Sequence, residues 1–230
     1  MIISLNWLKK YVDIDVPTEE LVELIGARLV EVEEIVDIRK KYEGIKIVEV
    51  KSAEKIADSD HLTLCKIWDG ANEHQVVCGA PNVRVGMLAV WLPAGVTVPS
   101  TFGDDEPFVL DKRKLRGYES NGMLAAMDEL DFGTDHSGIV EVDPNMICHP
   151  AHAASQDLDR KVQPGDDFAK VFGLDDVLLD IENKSLTHRP DCFGIIGFAR
   201  EVAGILGQKF ETPDWLSESV VKNTMKEKNE

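Results

Sequence analysis

Short apolar runs, rather than amphipathic helices, fill the sequence between Ile45 and about Val142. The runs are IKIVEV, HLTLCKIW, HQVVC, MLAVWLP and GIVEV, and Gly, Asn, Asp or Pro residues separate them. Apolar runs that recur roughly every ten residues, with little helical periodicity between them, are typical of a small closed or sandwiched β domain. This stretch is therefore expected to form a β domain of its own, and an OB-like five-stranded barrel has the size that fits.

The segment before this stretch has a different pattern. Ser4 is suited to cap a short helix that carries Trp7, Leu8 and Tyr11 on one side. A second helix is expected to begin at Pro17 and Thr18, and its apolar positions are Leu21, Leu24, Ile25 and Leu29. The following VEVEEIVDI, from Val30 to Ile38, alternates as a strand does, while its EVEE core favours a helix by propensity, so both interpretations stay open.

Two more elements are expected near the end of the chain. VLLDIEN, residues 177–183, alternates as a strand with Val177, Leu179 and Ile181 on one face. A helix should follow Pro190 and stop at Gly207. Its apolar stripe consists of Ile195, Phe198, Val202, Ile205 and Leu206.

The elements at either end are too few to bury a core alone, so we expect them to pack against each other. The predicted fold class is α+β: a small discontinuous α+β domain with an inserted five-stranded OB-type β-barrel. The predicted parts are residues 1–44 and 171–210 for the α+β domain, 45–150 for the OB domain, 151–170 for a linker or insertion, and 211–230 for a tail that continues into a longer chain or ends frayed.

The charge balance limits the partners that the chain can attract. Its 42 Asp and Glu residues against 25 Lys and Arg residues give a formal net charge of -17. Such a chain gains no long-range attraction to nucleic acid, so an anionic partner must be met by a local patch. No apolar run approaches the length of a membrane span, and the first residues lack the apolar stretch of a signal peptide. We therefore expect a soluble, cytoplasmic protein with neither a membrane nor DNA as a partner.

The one local excess of positive charge lies in LDKRKLRGYESNGMLAAMDEL, residues 110–130. Lys112, Lys114 and Arg116 are spaced by two, so a strand would place all three on one face and Arg113 on the other. A stripe of three cations on a barrel face would suit a row of phosphates. Lysines also protect exposed edge strands from aggregation, and residue type alone does not separate the two interpretations.

A second group of candidate residues lies in VVCGAPNVRVG, residues 76–86. Gly79, Ala80 and Pro81 allow a ligand to approach the backbone closely, and Asn82 and Arg84 add an amide and a guanidinium. Cys78 has no His at a readable spacing, so a buried thiol is the expectation rather than a catalytic one.

Catalytic and metal-binding patterns are weak in this sequence. Cys148, His149 and His152 lie close together in CHPAH, but a fourth ligand at a normal spacing is missing. The four cysteines form no CxxC pair, which favours reduced and mostly buried thiols. No P-loop, GxGxxG, paired carboxylates or Ser/His/Asp order is readable. We predict no catalytic residue and no metal site in this segment.

Several motifs, in order, resemble the bacterial phenylalanyl-tRNA synthetase beta subunit and, in part, related stand-alone tRNA-binding proteins. VCGAPNVRVG (77–86), LPAGVTVP (92–99) and KLRGYESNGML followed by EL at 129–130 resemble the OB-type tRNA-binding module near the start of that subunit. THRPDCFGIIGFAREV (187–202) resembles a signature that follows the module, and ISLNWLKKYV resembles the first helix. Stand-alone modules lack these flanks, so the resemblance favours the beta subunit and covers about residues 1–210.

The resemblance implies partners and cofactors that the residues alone do not. The chain is expected to contact tRNA and to act with an alpha subunit in a heterotetramer that attaches phenylalanine to tRNA(Phe). ATP and magnesium are implied for the whole enzyme, with no cofactor in this segment, because phenylalanine activation belongs to the alpha subunit in that family.

Two functions follow as hypotheses. In the first, the barrel holds tRNA through cations and neutral hydrogen-bonding groups, with Tyr118 or Trp91 as a surface on which an unstacked base can lie. The predicted tRNA-binding residues are Lys112, Lys114, Arg116, Arg84, Asn82, Ser120 and Asn121. In the second, the segment is a structural docking module that braces neighbouring domains and binds no RNA, a role that the acidic balance and the apolar stripe of residues 195–206 would suit.

Overall fold

The structure is a computed structural model that describes residues 1–57, 59, 61–146 and 160–216. Contacts within the chain divide it into two compact units. The first comprises Met1–Val36 together with Asp176–Glu230, and the second is Asp37–Asp175. The chain thus leaves the first unit, forms the second, and returns.

The first unit combines a small sheet with two longer helices. Its strands are β1 (Ile2–Ser4), β2 (Val32–Asp37) and β11 (Val177–Ile181), in the order β1-β11-β2, and its helices are α1 (Leu5–Leu8), α2 (Thr18–Arg28) and α4 (Ile195–Ile205). Strands β1 and β11 pair antiparallel, with Ile3 opposite Leu179. The open choice for residues 30–38 is thereby settled as a strand, since β2 covers most of that segment.

Local hydrogen bonds explain where the first helix begins. The Ser4 hydroxyl accepts a hydrogen bond from the backbone N–H of Trp7 at 3.0 Å, as an N-cap does. It also donates to the buried carboxylate of Asp176, which in turn accepts the N–H of Asn6 at 2.9 Å. Leu8 of this helix is fully buried, whereas Trp7 is 52% exposed.

Helices α2 and α4 bury their apolar faces in the core of their own unit. Leu21 and Ile25 of α2 are fully buried, as are Phe198 and Val202 of α4, and all four belong to one hydrophobic cluster. Gly207 follows α4 with a φ of 71°, a left-handed conformation in which a helix typically ends. The apolar stripe of residues 195–206 is thus largely used inside this unit, which removes one reason for assigning it to a docking surface.

The second unit is built mainly of strands. They are β3 (Lys46–Lys55), β4 (Thr63–Trp68), β5 (Glu73–Cys78), β6 (Leu88–Leu92), β7 (Lys112–Leu115), β8 (Tyr118–Asn121), β9 (Met123–Leu124) and β10 (Glu141–Val142), and the helix α3 (Phe168–Phe172) follows them. Each apolar run noted in the sequence overlaps one of the strands β3, β4, β5, β6 and β10.

The strands of this unit pair in antiparallel ladders. One sheet runs β10-β6-β3-β4-β5, with β9 also paired to β6, and β7 and β8 form a separate two-stranded hairpin. Strand β5 reaches β8 through single hydrogen bonds: the Gln75 side chain donates to the Glu119 carbonyl at 2.7 Å, and the Val77 N–H donates to the Ser120 hydroxyl at 3.0 Å. Among the described residues, the pairings form antiparallel sheets, and the closed five-stranded barrel expected from the sequence is not found in them.

Strand β6 is buried on both of its faces. Leu88, Val90 and Leu92 lie in one hydrophobic cluster with Phe168 of α3, whereas Ala89 and Trp91 lie in a second cluster against β3, β4 and β5. Side chains alternate between the faces of a strand, so an uninterrupted apolar run such as LAVWL can fill two cores at once.

Residues 160–175 belong to the second unit. Phe168 is fully buried there, and its N–H donates to the Ile45 carbonyl at 3.0 Å. The described part of the linker expected at 151–170, residues 160–170, therefore includes the start of the core helix α3. A helix as short as α3 is too brief to show the periodicity by which sequence analysis finds helices.

In the described residues, no helix combines the length and the apolarity that crossing a membrane would need.

Candidate nucleic-acid interface

The basic segment folds as a tight β-hairpin. Its two strands are paired from Lys112 opposite Asn121 to Leu115 opposite Tyr118, which leaves Arg116 and Gly117 as the only residues of the turn. Both have positive φ, 50° and 91° respectively. Two-residue hairpin turns with positive φ at both positions match the twist of the flanking strands, and Gly at the second position permits this at no steric cost.

The hairpin places the predicted cations in two environments. Lys112 and Lys114 lie on the same face of β7, as their spacing predicts, but the strand ends at Leu115 and Arg116 lies in the turn. The strand argument therefore holds for the two lysines and not for Arg116. Glu119 lies directly opposite Lys114 and so shares the lysine face, a carboxylate that the spacing rule did not take into account.

The three hairpin cations are uncommitted within the described part of the chain. Lys112, Lys114 and Arg116 are all exposed, and no carboxylate there lies within 4.0 Å of their charged nitrogen atoms. Arg84 differs, because its guanidinium forms an ion pair with Glu141. Because Glu141 partly neutralises its charge, Arg84 is less available to an external phosphate than the sequence alone indicates.

The neutral residues of the predicted set are engaged inside the protein. Ser120 is only 3% exposed, and its hydroxyl accepts from the Val77 N–H and donates to the Gly122 carbonyl at 2.9 Å. Its expected role in RNA contact is therefore corrected to a structural one. Asn82 bridges the backbone of Ile139, donating to its carbonyl at 2.8 Å and accepting its N–H at 3.0 Å.

Asn121 links the base of the hairpin to a buried polar group. Its side-chain nitrogen Nδ2 lies 3.3 Å from Nδ1 of His74. The other ring nitrogen of His74, Nε2, lies 2.9 Å from Oδ2 of Asp69. A carboxylate can only accept, so Nε2 carries the proton and Nδ1 is the acceptor for Asn121. The His74 ring packs against Trp91, with ring centroids 4.5 Å apart, and Trp91 is only 3% exposed. Trp91 is thus a core residue and offers no surface to a base.

Hydrogen bonds from neighbouring groups stabilise the ionised form of the Asp69 carboxyl. Burial alone would raise the pKa of its carboxyl, but the backbone N–H of Asn72, the His74 side chain and the backbone N–H of Ala71 together lower the pKa to about 2. Asp69 therefore stays ionised and holds His74, and through it Asn121, in position.

A cleft of about 320 Å³ lies beside the end of β5. Its lining includes Cys78, Gly79, Glu129 and His136. Burial raises the pKa of the Cys78 thiol and also that of the Glu129 carboxyl, although the Ala126 N–H that Glu129 accepts at 2.7 Å opposes the latter shift. A thiol with a raised pKa is a poor nucleophile, consistent with a packing role for Cys78.

A cluster of possible metal ligands in the first unit binds the side chain of Arg189. Ligand atoms of Asp191, Cys192 and Glu201 lie within 4.8 Å of one another. The guanidinium of Arg189 donates to Asp191 at 2.9 Å and to Glu201 at 2.6 Å. These two hydrogen bonds raise the pKa of Arg189, and the same contact lowers the pKa of Asp191, so the side chains form an internal salt-bridge network. The CHPAH residues Cys148, His149 and His152 lie outside the described residues.

Comparison with known proteins identifies the family of the chain. A family model described as "Putative tRNA binding domain" matches residues 45–148. The chain is 37% identical over 213 residues to the phenylalanine–tRNA ligase beta subunit of Desulfotalea psychrophila, covering 91% of this chain and 23% of that protein. It is 37% identical over 216 residues to the same subunit of Rhodopseudomonas palustris, covering 93% and 24%. The chain belongs to the phenylalanine–tRNA ligase beta subunit family.

Relative to this family the chain is short. It spans about a quarter of the length of the curated beta subunits it matches. Among solved structures, a MetRS-related protein from Pyrococcus horikoshii is 19% identical, with a TM-score of 0.31, over 52% of this chain and 88% of that one. The beta-subunit resemblance stated from the motifs is thus confirmed by relatives that align over most of the chain.

Sequence reasoning missed one pair of residues at this interface. The Arg113 guanidinium lies 5.3 Å from the ring centroid of Phe108, and Phe108 is 41% exposed. Arg113 was set aside because it points away from the lysines. Two hydrogen bonds fix the loop that holds Phe108: the Val98 N–H donates to the Phe108 carbonyl at 2.8 Å, and the Phe108 N–H donates to the Thr101 hydroxyl at 2.9 Å. No local signal in the sequence reveals these contacts.

Proposed function

We propose that this chain supplies a tRNA contact to a phenylalanine–tRNA ligase, and that the basic hairpin makes this contact. Lys112, Lys114 and Arg116 would bind backbone phosphates. The observation that carries the proposal is that these three exposed cations, within the part of the chain that matches a putative tRNA binding domain, have no carboxylate within 4.0 Å among the described residues. Asn121 would add a neutral hydrogen bond at the hairpin base, and Asn82 and Arg84 would be secondary contacts.

In the proposed whole enzyme, this segment lies near the N-terminus of the beta subunit. It would comprise a discontinuous α+β domain around an OB-type barrel, which the order of its antiparallel strands favours. An alpha subunit would be the partner in a heterotetramer, and ATP and magnesium would serve the attachment of phenylalanine to tRNA(Phe). We assign none of the chemical steps to residues of this chain.

The charge balance requires the contact to be short in range. With a net charge of -17, the chain repels a polyanion at a distance, and salt shortens the reach of that repulsion to about 10 Å at 0.1 M. Within that range, the hairpin cations meet phosphates directly. Binding of this kind is expected to be weak and strongly dependent on salt concentration.

The experiment is tRNA binding by the 230-residue chain at low salt, with a variant in which Lys112, Lys114 and Arg116 are all replaced by Ala. We expect saturable binding by the unmodified chain and a loss of roughly tenfold or more in the variant, because about three phosphates lose their partners. A matched control replaces the exposed Lys9, Lys10 and Lys209 of the first unit by Ala, which changes the net charge equally. Equal losses in the two variants would contradict the assignment to the hairpin.

A second candidate function is a structural docking module without RNA binding. The first unit exposes Trp7 at 52% and Ile2 at 56%, and large apolar side chains at the surface favour contact with another protein domain. In that case the unmodified chain would show no saturable tRNA binding even at low salt. The same titration therefore separates the two functions.

A further inference from the structure

The hairpin has two faces of different chemistry. Residues directly opposite each other on paired antiparallel strands project to the same side. The lysine face carries Lys112, Lys114, Glu119 and Asn121, and the aromatic face carries Arg113, Leu115, Tyr118 and Ser120. Ser120 is buried against β5, so the aromatic face is open only toward the hairpin turn.

The open part of the aromatic face exposes planar and apolar groups. Tyr118 is 41% exposed and Leu115, its cross-strand neighbour, is 39% exposed. Beside them, the Arg113 guanidinium lies over the Phe108 ring at 5.3 Å from its centroid. A guanidinium that stacks on one ring has its second face free for another planar group, and every nucleobase has such a face.

The outer edge of β7 separates these two faces. In the described residues, β7 pairs with β8 and with no other strand, so this edge is open. An unpaired RNA strand carries phosphates along its backbone and turns its bases away from them. Laid along the edge, it would place phosphates at Lys112 and Lys114 and bases on the opposite face. A duplex could not do so, because its bases are already stacked and paired.

We propose that the aromatic face of the hairpin is a stacking platform for unpaired bases of single-stranded RNA, with Tyr118 and the Arg113–Phe108 pair as its planar groups. This inference rests on the proposed function, since the same hairpin binds the phosphates. It adds that the RNA partner is met at an unpaired stretch and that base identity matters little, because stacking tolerates every base.

Charge complementarity favours RNA over a protein as the occupant of this face. Lys112, Lys114 and Arg116 lie on the same hairpin without a carboxylate partner among the described residues, and an apolar protein surface would leave those charges unanswered. A hairpin edge guarded only against aggregation would need the lysines but not an exposed tyrosine beside an arginine stacked on phenylalanine.

The test is the affinity of the 230-residue chain for a single-stranded oligonucleotide of mixed sequence and for a duplex of the same length. We expect tighter binding of the single strand. Replacing Tyr118 by Ala should weaken single-strand binding by roughly 5- to 150-fold, which corresponds to the loss of one base–aromatic stack. Tyr118→Phe should bind as the unmodified chain does, because it keeps the ring. Arg113→Lys should weaken binding while the salt dependence stays the same, because it keeps the charge and loses the plane.

The controls separate this inference from the proposed function. Phe193→Ala removes an aromatic side chain of similar exposure, 45%, from the first unit and should change nothing. If the unmodified chain binds single strands and the Tyr118→Ala variant binds equally well, or if duplex binding weakens just as much, the stacking platform is wrong while the phosphate contact stands. If Tyr118→Ala instead abolishes self-association in sedimentation and leaves RNA affinity unchanged, the face is a protein contact. If the unmodified chain binds no RNA, the proposed function fails and this inference fails with it.

Discussion

The hairpin of residues 112–121 and the loop of residues 79–86 both contain predicted tRNA-binding residues, but their polar groups differ in what they do. Each was expected to offer cations and amides to RNA. In the loop, Asn82 is hydrogen-bonded to both backbone groups of Ile139 and Arg84 is paired with Glu141. In the hairpin, Lys112, Lys114 and Arg116 have no carboxylate partner among the described residues. Similar residue types thus brace the fold in one place and remain available in the other.

The difference has a geometric origin. The loop at Asn82 lies against Gly138, where an added Cβ would come within 2.6 Å of the Asn82 amide oxygen, so the two segments touch. Close contact brings side chains within reach of backbone partners and of Glu141. The hairpin instead ends in a two-residue turn, and among the described residues the outer edge of its strand β7 pairs with no other strand. Its three cations lie on the exposed strand β7 and in the turn, where no carboxylate of the described residues lies within 4.0 Å of them.

The support beneath the hairpin should give the largest effect. Replacing Asp69 by Asn removes an anion whose pKa is lowered to about 2 from 3.8, and should cost about 2 kcal/mol of unfolding free energy at pH 7. A lowered carboxyl pKa stabilises the fold above about pH 4, and that contribution is lost as the pH falls toward 2. The difference between the unmodified chain and the variant, measured by denaturant unfolding, should therefore vanish near pH 2. A difference that is the same at pH 7 and pH 2 would contradict this.

The loop should be more sensitive in stability than in binding. Asn82→Ala deprives both backbone groups of Ile139, a residue only 6% exposed, of their partners and should cost roughly 1 to 2 kcal/mol. Asn82→Asp keeps the acceptor and loses the donor, so it should fall between the two in a thermal unfolding experiment. The salt dependence of tRNA binding should be the same in all three proteins. A changed salt dependence would contradict this, because it would mean that the substitution also disturbs a cation that contacts RNA.

Freeing Arg84 should make the loop behave more like the hairpin. Glu141→Gln removes the ion-pair partner and should change stability by less than about 1 kcal/mol, because the pair is exposed. One more available cation should steepen the slope of log K against log salt by about 0.7 to 0.9 and raise tRNA affinity a few-fold at low salt. Glu23→Gln, an exposed change in the first unit, provides the control for net charge. Identical behaviour of the two variants would show that Arg84 lies outside the interface.

Much of the local structure could be predicted from short-range patterns. The strands at residues 46–55, 63–68, 73–78 and 88–92 and the helix at 195–205 lie where apolar periodicity indicated them. These patterns depend on which face of an element is buried, a property that neighbouring residues in sequence record directly. The strand pairings were harder, because whether a sheet closes depends on contacts between distant segments, and Gln75 and Val77 meet β8 through side-chain bonds that no local pattern encodes.

The candidate site was predictable in composition but not in availability. The alternation of Lys112 and Lys114 followed from strand geometry, whereas the exclusion of Arg116 from the strand depended on a two-residue turn at Arg116 and Gly117. The burial of Ser120 follows from its bond to Val77, 43 residues away in the sequence. Long-range partners of this kind decide whether a polar side chain is free, and only the folded chain reveals them.

The salt dependence of tRNA binding tests the central claim most directly. With three hairpin cations on phosphates, log K should fall against log salt with a slope of about -2 to -3. Replacing Lys112, Lys114 and Arg116 by Ala should bring the slope close to zero, whereas the control without Lys9, Lys10 and Lys209 should keep the original slope. The same slope in both variants would show that these cations do not form the contact with RNA.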